Sequence, residues 1–241
     1  MRRAVSAVAV ALFASSVVAV QAQETIGPDV PMGPVRGALG GNLIVAVPVG
    51  EFADYIDTGF GIGFVGHLNL AGDGALRLRL DGGFVQYGNE TREVCLTTCR
   101  IVVDLTTSNN IVFGSIGPEL MVPRGFIRPY VNAGIGGAYF TTTSHFDGES
   151  DNQDFANTTN FDDGTFALTA GGGLYIPLSV SNTPISIDLG ARYHRNGQVR
   201  FLREGDIEDL PGGDIVIHPQ HSNADLVTLQ LGVSVGLRAR Q

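Results

Sequence analysis

The chain has 241 residues with 33 glycines, no tryptophan and no lysine, so its fifteen basic side chains are all arginine, and it carries a formal net charge of −9. That balance excludes a bulk electrostatic affinity for nucleic acid, which needs a basic footprint. No stretch beyond the N-terminal segment offers the run of about eighteen apolar residues that a membrane-crossing helix requires.

Residues 1–22 read as an export signal: Arg2 and Arg3 form the positive start, Ala4 to Val20 is mostly apolar, and Val20-Gln21-Ala22 is a small-residue cleavage site. Its removal leaves thirteen arginines against 24 acidic residues, a net charge of −11. Residues 23–36 hold Pro28, Pro31 and Pro34 without periodicity, and are expected to be a linker. From residue 37 to 241 the chain is expected to form one β-barrel domain.

Eight strands are predicted. Leu39 to Val49 sends Leu43, Val45 and Val47 one way and Asn42 the other. In Thr58 to Leu70, Phe60, Ile62, Phe64, Leu68 and Leu70 share one face, opposite Gly61, Gly63, His67 and Asn69. A long hairpin spans Ala75 to Val122. It begins with Leu76-Arg77-Leu78-Arg79-Leu80-Asp81, whose period of two fits a strand and no helix. Glu119 on the returning strand opposes Leu120, Pro118 and Ile116. The fifth strand sets Ile127, Val131 and Ile135 against Arg128, Tyr130 and Asn132. The sixth sets Phe166, Leu168, Leu174 and Ile176 against Thr169, Gly171, Gly173 and Tyr175. The seventh sets Ile185, Ile187, Leu189 and Tyr193 against Asp188, Arg192 and His194. The eighth alternates from Val227 to Leu237, against Thr228, Gln230, Ser234 and Arg238.

Connections alternate between short (Ala71–Gly74, Val122–Gly125, Pro177–Pro184) and long (Glu51–Asp57, the Cys95–Cys99 tip, Thr141–Gly164, Val199–Ala224). Every long connection therefore falls at one end, as in outer-membrane barrels with short periplasmic turns and long external loops. The apolar faces are about ten residues long, the crossing length of a tilted transmembrane strand, and are assigned outward to lipid. Glycine-rich polar faces are assigned inward, where a narrow cylinder needs room, and closure requires the first and eighth strands to pair.

The fold class expected is thus all-β: an eight-stranded antiparallel up-and-down transmembrane β-barrel. Its predicted lumen cluster is Arg77, Arg79, Asp81, Glu119, Arg128, Asp188, Arg192 and Arg238, among His67, Asn69, Tyr130, Asn132 and Gln230. Structural filling is the first reading of that cluster; a gated polar path is the second.

Export, alternating strands, glycine-rich inward faces and four long loops resemble the small outer-membrane barrels of the OmpA/OmpX type, over roughly residues 37–240. Such families end on an aromatic residue used in assembly, and this chain departs from that with Leu237-Arg238-Ala239-Arg240-Gln241.

Other constellations carry weaker signals. Cys95 and Cys99 can form a disulfide that pins the hairpin tip, remain free thiols, or take part in a metal site, for which further ligands are not evident. The acidic stretch Asp147 to Asp154 with Asp162-Asp163 reads as a solvated loop, with weak divalent binding as the alternative. His218, His221, Ser222 and Asp225 have the residue types of a hydrolase or metal set, but spacing alone does not make one. The glycine runs near Gly136 and Gly172 lie in strands with no helix following, so nucleotide binding is rejected. Phe60, Phe64, Phe84, Tyr139, Phe166 and Tyr193 are expected near strand ends as interfacial aromatics.

The functional expectation is a non-enzymatic barrel of the cell outer membrane, monomeric, without cofactor, surrounded by lipid and meeting an extracellular partner through its loops. The alternatives are a narrow channel, a barrel enzyme acting on lipid or peptide, and a soluble lipocalin-like ligand carrier.

Overall fold

The computed structural model describes residues 35–96, 101–147, 154–179, 183–203, 206–209 and 215–238. The proposed signal segment, Cys99 and the centre of the acidic stretch lie outside them.

Eight strands close into an antiparallel barrel. They are β1 (Val35–Pro48), β2 (Gly59–Asn69), β3 (Leu76–Leu96), β4 (Ile101–Met121), β5 (Arg128–Asp147), β6 (Asp154–Ser179), β7 (Ile185–Asn196) and β12 (Leu226–Arg238). Each pairs with its sequence neighbour, and β1 pairs with β12 from Val35↔Arg238 to Pro48↔Leu226, so no edge of the cylinder is left open. Between β7 and β12 come four short strands in two nested pairs: β8 (Gln198–Phe201) with β11 (Gln220–Asn223), and β9 (Ile207–Asp209) with β10 (Ile215–Ile217).

The turn end is built by local chemistry. At the β2–β3 turn, Gly74 takes a φ of 77° and the Asp73 side chain accepts the Ala75 N–H at 3.0 Å. Gly125 takes a φ of 108° in the β4–β5 turn. Both are left-handed conformations that favour glycine.

Alternation divides the wall as expected. Leu43, Phe60, Ile62, Leu80, Ile116, Val131, Ile135, Leu168, Leu189, Leu229, Leu231 and Leu237 are exposed on the outside. Asn42, His67, Arg79, Asp81, Glu119, Thr169, Asp188, Arg192, Thr228 and Gln230 are buried within. The inward glycines clear space for these groups. A Cβ on Gly173 would stand 2.2 Å from the Leu189 carbonyl oxygen and 2.6 Å from the Tyr130 hydroxyl; one on Gly190 would stand 2.5 Å from that same hydroxyl.

Three features differ from the sequence expectation. First, Thr141–Asp147 and Asp154–Gly164 are strand, where a loop was expected, and they extend the wall alongside the long β3–β4 hairpin. Apolar alternation is absent there, but Thr141-Thr142-Thr143 is β-branched and extended by preference. Cross-strand hydroxyl contacts join these stretches: Thr142 to Asn109 at 2.6 Å, Thr107 with Ser144 at 2.8 Å, and Thr91 with Thr106 at 3.1 Å. Second, β1 starts at Val35, ahead of the expected Leu39. Third, the ionic part of the inward face is confined to the turn-side part of the barrel. Toward the loop end that face carries an apolar layer, with Ile44, Ala46, Val85, Ile111, Phe113, Ala138 and Phe140 all buried.

This dry layer is completed from above. A 3₁₀ turn (Gly50–Asp54), within what was expected to be an external excursion, folds inward and buries Phe52. The Phe52 ring sits edge-on to Phe201 of β8 at 5.0 Å, Phe140 at 5.9 Å and Tyr87 at 6.3 Å. The Tyr87 hydroxyl donates to the Leu202 carbonyl at 3.1 Å, tying the last long connection onto the cap.

Candidate functional site

The polar layer of the lumen is centred on Arg79. Register places it there: Arg79 pairs with His67 on β2 and Gly117 on β4. Its Nε donates to both oxygens of Asp81 at 2.9 Å, and one terminal nitrogen donates to Glu119 Oε2 at 2.8 Å and to the Tyr175 hydroxyl at 3.0 Å. The other terminal nitrogen lies 3.9 Å from Asp188 Oδ2 and 3.5 Å from Gln230 Oε1. Arg192 reaches Asp81 Oδ2 at 2.5 Å from the opposite wall, and Arg77 binds the other oxygen of Glu119.

Three guanidiniums thus meet three carboxylates. A buried charge is tolerable only when paired and hydrogen-bonded, and here the charge count balances inside the cylinder. Two tyrosines complete the layer. Tyr130 and Tyr175 stack with ring centroids 4.5 Å apart; Tyr130 donates to Asp188 Oδ1 at 2.7 Å, and Tyr175 shares a 3.0 Å hydrogen bond with His67 Nε2. Arg77 lies over the Tyr175 ring at 4.7 Å and Arg79 over Tyr130 at 5.3 Å, so each arginine also gains a cation–π contact. Higher up, His194 Nε2 meets the Thr228 hydroxyl at 3.1 Å beneath Phe113, whose ring is 4.9 Å away.

Of the residues expected in the lumen cluster, Arg77, Arg79, Asp81, Glu119, Asp188 and Arg192 come together. Arg128 stands apart near the β4–β5 turn, where its Nε donates to the Gly125 carbonyl at 3.3 Å. The side chain of Arg238 is not among those described, though its backbone pairs with Val35. Tyr175, read in sequence only as one of a polar face, is a hub of the layer. Its partners lie 96 and 108 residues away in the chain, and no local pattern announces that.

The remaining constellations do not assemble into a reactive centre. Asp225 accepts from the Tyr193 hydroxyl at 2.5 Å and from the Asn196 N–H at 3.0 Å, the Ser222 hydroxyl donates to the Asn223 carbonyl at 3.2 Å, and His221 is exposed on β11. Asp225 and Ser222 thus have different partners. Among the described residues there is no cluster of three or more metal-ligating side chains. Asp162 accepts from the Tyr139 hydroxyl at 2.7 Å, and Asp163 accepts from the backbone N–H of Arg200 at 2.9 Å. The backbone of Cys95 pairs with Val102 at the end of β3, while the disulfide question rests on Cys99, outside the described residues.

What these features define is a closed eight-stranded antiparallel barrel with an apolar exterior and a filled interior. Solved structures to which the chain is similar include Neisserial surface protein A, at 13% identity, covering 84% of this chain and 98% of that one, with a TM-score of 0.45. A major outer membrane protein from Thermus thermophilus is 14% identical over 83% of this chain and 99% of that one, with a TM-score of 0.45. Ail, the attachment invasion locus protein of Yersinia pestis, is 13% identical over 83% and 97%, with a TM-score of 0.39. No protein-family model matches the chain, and neither does any curated protein.

Proposed function

We propose that this chain is an integral barrel of a bacterial outer membrane, exported by a cleaved signal, whose sealed interior is structural and whose loop end is the surface for a partner outside the cell. The observation that carries the reading is the outer face. From Leu39 through Leu237, the outward positions of the closed barrel below the loop-end aromatics hold Leu, Ile, Val, Phe, Ala, Pro and Gly, and no charged side chain. On β12 the band runs from Val227 to Leu237, which at about 3.3 Å per residue and a strand tilt near 40° is roughly 25 Å tall, the height of a hydrocarbon-facing band. In water such a face would drive the barrels together; hydrocarbon accepts it.

The interior supports a structural role over passage of solutes. A charge-balanced layer fills the turn-side lumen and a dry aromatic cap closes the loop side, so a hydrated ion would have to displace both.

The test is paired. Purified protein refolded in lipid should show heat-modifiable gel mobility, and the same preparation in a planar bilayer should carry no steady open-channel current. A protein soluble without detergent would remove the membrane reading, and a sustained porin-sized current would remove the sealed interior.

A further inference from the structure

At the turn end the barrel does not close flush. A cavity of about 170 Å³ opens there, with a wall that draws on all eight strands or their turns. Two arginines line it. Arg77 gives one terminal nitrogen to Glu119, and its buried Nε has no hydrogen-bond acceptor, so the guanidinium is only partly satisfied although the residue is 8% exposed. Arg128 donates its Nε to the Gly125 carbonyl and, among the described residues, has no carboxylate partner. Guanidinium groups that line such a recess are matched best by an oxyanion. Among the described residues the lining carries one acidic group, Asp73, already tied to the Ala75 N–H at 3.0 Å, and apolar wall from Met121 and Pro184.

We propose that this vestibule binds a small organic monocarboxylate, its oxygens held between Arg77 and Arg128 and its short aliphatic body against Met121 and Pro184. The charge count sets the class: Arg77 and Arg128 are offset by Glu119 and Asp73, so the lining gives a dianion such as phosphate no net attraction to repay its larger desolvation cost. The apolar wall sets the body, because chloride or a bare oxyanion leaves it uncovered. The site adjoins the central ion layer without coinciding with it: only one terminal nitrogen of Arg77 is bound to Glu119, and Arg128 is not part of the layer.

The experiment uses the full chain in detergent micelles with ¹⁵N-labelled arginine, titrated with sodium propionate and, in parallel, with sodium chloride and sodium phosphate at matched ionic strength. Propionate is expected to move the Nε–H resonances of Arg77 and Arg128 along a saturable curve, with chloride giving no saturable shift and phosphate binding more weakly. Arg128→Gln should raise the Kd for propionate by roughly tenfold or more, the loss of one charge-assisted contact, while Arg195→Gln leaves it unchanged. Asp73→Asn should narrow the gap between phosphate and propionate. Arg128 is the primary variant because Arg77→Gln would strand Glu119; heat-modifiable mobility verifies that each variant is folded. Shifts that follow ionic strength alone, an unchanged Kd in Arg128→Gln, or tighter binding of phosphate than of propionate would each overturn the proposal.

Discussion

Glu119 shows how much one side chain holds at the residue scale. It is fully buried, its two oxygens are divided between Arg77 and Arg79, and His67 Nε2 stands 3.5 Å away. Glu119→Ala leaves two guanidiniums short of a counter-charge in a site closed to water, at a cost of about 3–5 kcal/mol. The midpoint of urea unfolding in lipid vesicles checks this, and a shift worth less than about 1 kcal/mol would mean that the layer is wet. Gly173→Val drives side-chain atoms into the Leu189 carbonyl and the Tyr130 hydroxyl, and the same assay should show destabilisation well beyond that of Gly66→Ala, whose Cβ meets nothing nearer than 3.5 Å. The charged members of this layer were legible in sequence because they interrupt apolar alternation. Their pairing was not, because Arg79 meets Asp81 within its own strand and Asp188 only through closure of the cylinder.

At the element scale, β12 gives the most direct reading of facing. Leu231 is half exposed on the outer wall, while Thr228, three residues earlier, is fully buried within. Leu231→Arg near the bilayer midplane is expected to cost about 2–4 kcal/mol. Thr228→Arg should fail for a different reason, overfilling the space beside His194; equal tolerance of both changes would contradict the facing. The loop-end cap was partly legible. Runs such as Ile44-Val45-Ala46-Val47, Ile111-Val112-Phe113 and Ala138-Tyr139-Phe140 are apolar on both faces, the pattern of a strand buried on both sides. What the pattern does not contain is the inward fold of Phe52, which depends on three distant rings. Phe52→Ala should loosen the cap without unfolding the barrel, seen as faster amide exchange confined to Ile56, Val199 and Phe201. Beyond the membrane band, the Asp163 carboxyl is held below its ordinary value, first by the backbone N–H of Arg200 and further by the Gly164 N–H and the Arg200 side chain. A lowered carboxyl stabilises the tie between β8 and β6 above the ordinary range near 3.9, and the tie is lost as pH falls through the lowered value. The Arg200 amide resonance should therefore hold steady down to about pH 4 and move only below it.

For the whole molecule, one division of side chains explains closure, filling and insertion together. Closure pairs every barrel strand on both sides, filling neutralises the charges that the polar faces bring inward, and the apolar remainder has only the outside to occupy. A contact map of the full chain in micelles, read from relaxation caused by a spin label on the detergent tails, tests that division residue by residue. Signals from Leu43, Ile116, Ile135, Leu189 and Leu231 should broaden strongly while those of Asn42, Ser115, Thr169, Thr228 and Gln230 persist. Broadening of the second set with sparing of the first, or a monomer that stays in solution once detergent is removed, would contradict it.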